Sequence, residues 1–225
     1  MNTEELYITN LYDLSHTKAA RLLERYTYPW EALPDIGAFI LETGKHLSPS
    51  KYTMVGDNVW ISRSAKIYPN NYIAGPAIIG HNTEVRPGAF IRGNALIGEN
   101  CVIGNSTELK NVIIFDNVQV PHYNYVGDSI LGYKSHMGAG SITSNVKQDK
   151  TLVTVKIGDE RIETGLKKFG AMLGDNVEIG CNTVMNPGTV IGRGSHVYPL
   201  SSVRGFVPAG RIYKSRSEIA EIQNS

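Results

Sequence analysis

The chain has 225 residues, with 22 Lys and Arg against 21 Asp and Glu and a formal net charge of +1. This balance excludes the basic stripe of a nucleic-acid binder, and no apolar stretch approaches the ~20 residues of a membrane span. The only cysteines, Cys101 and Cys181, lack metal-type spacing. Residues 1–10 carry no signal-peptide pattern, so a cytoplasmic protein with reduced thiols is expected.

In chain order, residues 1–50 do not share the periodicity of the later chain. Ser15 and Thr17 are placed to cap a helix through Ala19, Ala20, Leu22 and Leu23 to Tyr26. A second helix is expected over Asp35–Thr43, ended by Gly44. From Val55 an aliphatic residue recurs every six positions through Ile61, Ile67, Ile73, Ile79, Val85, Ile91, Ile97 and Ile103 to Leu109. A second such row runs from Leu173 to Val203. A period of six fits neither a helix nor an alternating strand. It fits a β-helix, in which six residues make one short strand and a corner, and three sides make a coil. The two N-terminal helices then read as a cap over the first coil, since an open sheet edge needs cover.

Two residues before the aliphatic position the side chain is usually small, as at Thr83, Ala89, Ala95, Cys101, Thr183 and Ser195. Glycine often stands directly after it, as at Gly80, Gly98, Gly104 and Gly180, where a corner is expected to need backbone angles that glycine, or sometimes asparagine or aspartate, adopts cheaply. The row shortens to steps of five from Leu109 to Ile114 and from Val126 to Leu131. Irregular rungs of a repeat protein often carry the binding surface. Residues 145–170 interrupt the repeat, with a β-hairpin expected over 152–165 around Gly158-Asp159. Two more coils are expected from 171 to 208, and Ser215–Gln223 reads as a short helix. The expected domains are a cap over 1–50, the β-helix over 51–210 with its 145–170 insertion, and a tail over 211–225.

The densest polar cluster falls on the irregular rungs: Arg86-Pro87-Gly88, Glu108-Leu109-Lys110, His122-Tyr123-Asn124-Tyr125 with Gly127-Asp128, and Gly138-Ala139-Gly140-Ser141-Ile142-Thr143-Ser144-Asn145. Arg86 and Lys110 are 24 apart, and Lys110 and His122 are 12 apart. An 18-residue coil could bring members of this set to one edge. Cations, a carboxylate, a tyrosine and an imidazole together suit a sugar phosphate and a proton transfer.

These four ordered motifs resemble the acetyltransferase domain of the bifunctional N-acetylglucosamine-1-phosphate uridyltransferase and glucosamine-1-phosphate acetyltransferase family. The segment after them is closer to its archaeal sugar-1-phosphate nucleotidylyltransferase-like branch. The resemblance covers about 55–208 and implies a mainly β fold: a left-handed parallel β-helix of about seven coils, with a small N-terminal helical extension and a protruding β-hairpin. It implies acetyl transfer from acetyl-CoA, as co-substrate, to the amine of an amino-sugar 1-phosphate, most simply glucosamine 1-phosphate. His122 would be the general base and the Ala139 N–H an oxyanion donor. Arg86, Lys110, Tyr125 and Lys150 would hold the phosphate, and Glu108 and Asn145 the sugar hydroxyls. Ala171, Cys181 and Pro199 would contact coenzyme A, in a homotrimer that needs no metal, nucleic acid or membrane.

The chain departs from the family at His136, where an Asn is usual, and at Asn145-Val146-Lys147-Gln148, where Asn-Tyr-Asp-Gly is usual. Residues 1–50 are too few for a uridylyltransferase domain, so no uridylyl transfer is expected. Other readings stand beside this one: an acetyltransferase for another amino sugar or a nucleotide sugar, a non-catalytic β-helix scaffold, and a zinc-dependent anhydrase. The last needs histidines five apart, whereas His122 and His136 are 14 apart. His81, His136 and His196 read as surface histidines.

Overall fold

A computed structural model describes residues 2–215 and 218–221. Short parallel strands stack into a left-handed three-sided prism whose rungs succeed one another at the sequence period. The first face runs from Val59–Ser62 through Ala77–Ile79, Ala95–Ile97, Ala171–Leu173 and Thr189–Ile191 to Phe206–Val207. The second runs from Lys66–Ile67 to Arg211–Ser215, and the third from Tyr72–Ile73 to Ser202–Val203. The first and second faces extend about one rung beyond the seven coils that the sequence suggests.

The aliphatic row points inward. Ile79, Val85, Ile91, Ile97, Ile103, Leu109, Val126, Leu173 and Ile191 are all 0% exposed. Val55 is not part of the stack: it lies 59% exposed on Tyr52–Gly56, which pairs antiparallel with Val59–Ser62. Small residues fill the space beside each aliphatic side chain, and their hydroxyls bind corner carbonyls of the next rung. Thr83 Oγ1 donates to Gly98 O at 2.8 Å, and Ser195 Oγ to Pro208 O at 2.7 Å. These bonds satisfy carbonyls that the corner removes from the ladder.

The corners turn differently from the expectation. The left-handed residues stand three positions after the aliphatic one and are mostly asparagine: Asn82 (φ 56°), Asn100 (φ 54°), Asn117 (φ 60°), Asn176 (φ 58°) and Asn182 (φ 54°). Asparagine tolerates that region better than other residues with a Cβ. The glycines directly after the aliphatic residue have ordinary φ. They are needed for close approach, since a Cβ on Gly174 would lie 2.8 Å from Arg193 N on the next rung.

The N-terminal segment does not cap the open end. Its pieces are Ile8–Leu11, Ala20–Leu23 and Ile36–Lys45 in α-helix, with 3-10 turns at Thr3–Leu6, Leu14–His16 and Pro29–Asp35. They lie along the first face, where Ile36–Lys45 meets the rungs at 77–79, 95–97 and 112–114. Outward side chains on that face are apolar and covered: Ile78, Ile113, Ile130, Met172 and Val190 are 0% exposed and Leu96 is 1%. Burial of this second apolar column favours the side over the end. Backbone pairs fasten the segment, with Asp116 N–H donating to His16 O at 3.0 Å and Asp175 N–H to Leu11 O at 3.0 Å. Gly44 sits inside its helix, not at its end, because a Cβ there would be 2.5 Å from the Trp60 ring.

The tail also differs. Arg211–Ser215 continues the second face and pairs antiparallel with Glu218–Glu221, where a helix was expected. A strand covers the ladder edge that a helix would leave unpaired. Ile222 and the residues after it lie outside the described residues. The hairpin forms as expected from Thr154–Ile157 and Glu160–Glu163, turning at Gly158 (φ 57°). It is packed down, with Val153 and Val155 0% exposed.

Candidate functional site

Both five-residue steps have a structural cause. Glu108–Ile114 and Tyr125–Leu131 each run without a break from the third face round to the first. Asn111 (φ 55°) and Asp128 (φ 48°) take the left-handed conformation at that tightened corner. Asp128 is 4% exposed and gathers three donors. Lys110 Nζ reaches its carboxylate at 3.1 Å and Asn111 Nδ2 at 3.0 Å, and Asn145 Nδ2 binds the other oxygen. Asn145 Nδ2 also lies 3.2 Å from Tyr125 Oη. Burial, then the Asp128 carboxylate, raises the Tyr125 phenol above its ordinary range, so it remains a hydroxyl donor at neutral pH.

Gly127 lets these groups pack closely. A Cβ there would run into Tyr125 Oη and approach Asn145 Nδ2 to 2.9 Å. Glu108, directly above Tyr125 in the ladder, pairs with Arg92 Nη1 at 2.7 Å. Arg92 stands opposite Lys110 by register, one coil above it. Glu108, Lys110, Tyr125 and Asn145, the residues the family resemblance points to, are therefore brought together.

Arg86 is not among them. It lies on the second face, where Arg86 Nε pairs with Glu84 at 3.3 Å. The place expected for it is taken by Arg92, 18 residues before Lys110 where Arg86 is 24 before it. One coil of 18 was the signal that pointed to Arg92, and the same count from Lys110 reaches Asp128.

His122 stands at the corner between the second and third faces, exposed. Its Nδ1 is 3.2 Å from Asn105 Oδ1 on the rung above, and its N–H donates to Asn124 Oδ1 at 3.0 Å. Below it on the same corner lie Ala139, Cys181 and Pro199. The ladder linking them is Gly140 N–H to His122 O at 3.0 Å, Asn182 N–H to Ala139 O at 2.8 Å and Leu200 N–H to Cys181 O at 3.0 Å. Cys181 is exposed, whereas Cys101 is buried and its thiol is pushed up to about 12 by that burial.

Ala171 does not join this column. It is 0% exposed on the first face, facing the prism interior, and its N–H donates to Ser129 Oγ at 3.0 Å. Lys150 is exposed at the start of the insertion, apart from both groups, with φ 58° and its N–H on Lys147 O at 3.1 Å. His136 pairs with Glu178 at 2.9 Å on the second face, and His81 Nδ1 lies 2.6 Å from Ser62 Oγ. Among the described residues no group of three or more His, Cys, Asp or Glu is arranged to hold a metal ion. None of their helices is long and apolar enough to cross a membrane.

Period, prism and corner columns define a hexapeptide-repeat β-helix, and a family model described as bacterial transferase hexapeptide (six repeats) matches residues 52–93. The chain belongs to the family described as the GMPPB C-terminal domain, which matches residues 73–193. It is similar to a bifunctional sugar-1-phosphate nucleotidylyltransferase/acetyltransferase of Sulfurisphaera tokodaii, 36% identical over 50% of this chain and 28% of that protein. It is also similar to a bifunctional protein GlmU of Methanococcus maripaludis, 37% identical over 75% of this chain and 41% of that protein. The chain thus spans well under half the length of these relatives. Among solved structures, a hexapeptide transferase family protein from Anaplasma phagocytophilum aligns with 74% of this chain and 81% of its own, at 18% identity and a TM-score of 0.41.

Proposed function

We propose that the chain transfers an acetyl group from acetyl-CoA to the amine of an amino-sugar 1-phosphate, with glucosamine 1-phosphate the expected acceptor. The observation that carries this is one face with two working borders. At one border an exposed imidazole heads a column of small side chains. At the other Lys110 and Asn145 converge on the Asp128 carboxylate beside Glu108 and Tyr125, with Gly127 leaving room for Tyr125 and Asn145 to meet.

That arrangement sets the chemistry. The amine attacks the thioester carbonyl and forms the C–N bond, and His122 takes the amine proton. The Ala139 N–H stabilises the charge on the carbonyl oxygen. Collapse breaks the C–S bond, and the proton on His122 passes to the leaving thiolate. Glu108, Asn145 and the Tyr125 hydroxyl orient the sugar, and Lys110 with Arg92 provides cations beside it. Cys181 and Pro199 line the path of the pantetheine arm. The test is thiol release from acetyl-CoA over a panel of amino-sugar phosphates. No release with any of them, at high enzyme concentration, refutes the reading.

Cys181 gives a second measurement. As the exposed thiol it should react with iodoacetamide in the folded protein while Cys101 does not, and acetyl-CoA should slow that reaction several-fold. Unchanged alkylation at saturating acetyl-CoA would place the thioester elsewhere.

The assembly we propose is a homotrimer. The first face is covered by the chain itself, while the third face and its corner leave Tyr72, Phe90, Tyr123, Tyr198 and Leu200 exposed at 59%, 40%, 65%, 47% and 81%. Cyclic packing closes such a surface without leaving an open end. Sedimentation should give about three times 24.7 kDa. A monomer at micromolar concentration is the contrary result.

A further inference from the structure

Below Asp128, on the same edge of the prism, a groove of about 450 Å³ opens between the hairpin and the coils at Ser144, Asn186 and Arg204. Four cations line it, Lys147, Lys156, Arg161 and Arg204, with Asp149 as the single carboxylate among its lining residues. Asp149 is turned to Lys147, 3.4 Å away, and accepts from Thr151 Oγ1 at 2.8 Å. Lys156, Arg161 and Arg204 have no carboxylate partner within 4.0 Å among the described residues. The cluster above is different, because there Arg92 and Lys110 each already face a carboxylate.

Two of the unpaired cations are placed against each other. Lys156 and Arg161 are direct cross-strand partners in the hairpin, and both line the groove. Like charges in that position destabilise an antiparallel pair. Glu163 shares the exposed side of the hairpin but forms no ion pair with either. The hairpin backbone that carries both is seated by the buried Val153, Val155 and Ile157. It also passes close to glycines of the coils: a Cβ on Gly188 would be 2.6 Å from Thr154 O, and one on Gly205 2.7 Å from Lys156 O. A seated hairpin therefore presents cations without carboxylate partners around an open groove.

We propose that this groove is a phosphoryl-binding site for a ligand carrying adjacent anionic oxygens, of the diphosphate kind, held by Lys156, Arg161 and Arg204. An anion between the three converts the repulsion into charge-assisted hydrogen bonds, for which the guanidinium forks are suited. The diphosphate of a coenzyme and the phosphate of a sugar share this chemistry. The site stands without the acetyl-transfer reading.

Inorganic pyrophosphate is the probe, in low-salt buffer because exposed charges are screened by salt. It should raise the melting temperature of the full chain. Titration calorimetry should show binding that Lys156→Ser/Arg161→Ser weakens about ten-fold or more. Without pyrophosphate the double variant should melt no lower than the parent, since the substitution removes repulsion and leaves the buried residues in place. Equal affinity in the two proteins, or a parent melting temperature indifferent to pyrophosphate, overturns the proposal. Displacement of pyrophosphate by coenzyme A assigns the groove to the thioester, and displacement by glucosamine 1-phosphate assigns it to the acceptor. Displacement by neither leaves a phosphoryl site separate from acetyl transfer.

Discussion

Replacing His122 with alanine should lower acetyl-transfer turnover by about 10²–10⁴, the usual worth of a general base. The fold should be unaffected for a reason visible at the corner. The inward neighbours of His122 carry the packing, and its corner bonds are made by its backbone: the N–H to Asn124 and the carbonyl to Gly140. Its one hydrogen-bonded side-chain partner is Asn105, at an exposed position. The loss should fall on kcat, with KM for acetyl-CoA little changed, because the proton moves only as the bond to nitrogen forms. A His122→Ala protein with near-normal turnover would remove the imidazole from the mechanism. A lowered melting temperature would show instead that the residue is structural.

Removing residues 1–47 should be more damaging than any single substitution. The segment covers the outward column of the first face, and the column includes Ile78, Leu96, Ile113 and Ile130, all 0–1% exposed, with Trp60 at 9% beneath Gly44. Exposing a large apolar side chain costs roughly 1.5–3 kcal/mol. Five of them approach the about 5–15 kcal/mol by which a whole domain is stable. The shortened chain should aggregate or bind a hydrophobic dye strongly, measured by size exclusion and fluorescence. A monodisperse product with the melting temperature of the full chain would mean that the segment is an accessory to a self-sufficient prism.

Only part of the candidate site could be read before the structure. Glu108, Lys110, Tyr125 and Asn145 enter through the family motifs, and they converge because they sit on successive rungs of one face. Arg86 stands 24 residues before Lys110, one coil plus one side, and so falls on another face. Six residues separate it from Arg92, and in this fold six residues are one whole face. Ala171 failed because a resemblance carries over a position without its side-chain direction. The pairing of Arg92 with Glu108 and of Lys110 with Asp128 was missed, although Asp128 lies one coil of 18 below Lys110.

The prism follows from the six-residue repeat alone. Each rung bonds to the rungs directly above and below it, so the stacking is a nearest-neighbour problem written locally in every six residues. The repeat also marked the two tightened corners as steps of five between Leu109 and Ile114 and between Val126 and Leu131. What lies across the faces was decided only in three dimensions. Doublets such as Ile78-Ile79, Leu96-Ile97, Ile113-Ile114 and Val190-Ile191 hold one inward and one outward apolar residue. They show that a face must be covered, but not by which segment. Residues 8–45 and the hairpin took that face through contacts made between distant parts of the chain, such as Asn111 Nδ2 to Leu33 O at 3.3 Å and the stacking of Trp30 on Phe169. Short-range propensity was overridden there. The Ala19–Tyr26 helix shrank to Ala20–Leu23, and the tail became a strand pair, because burying the first face and pairing an open ladder edge outweigh the few tenths of a kcal/mol that separate one residue's helix propensity from another's.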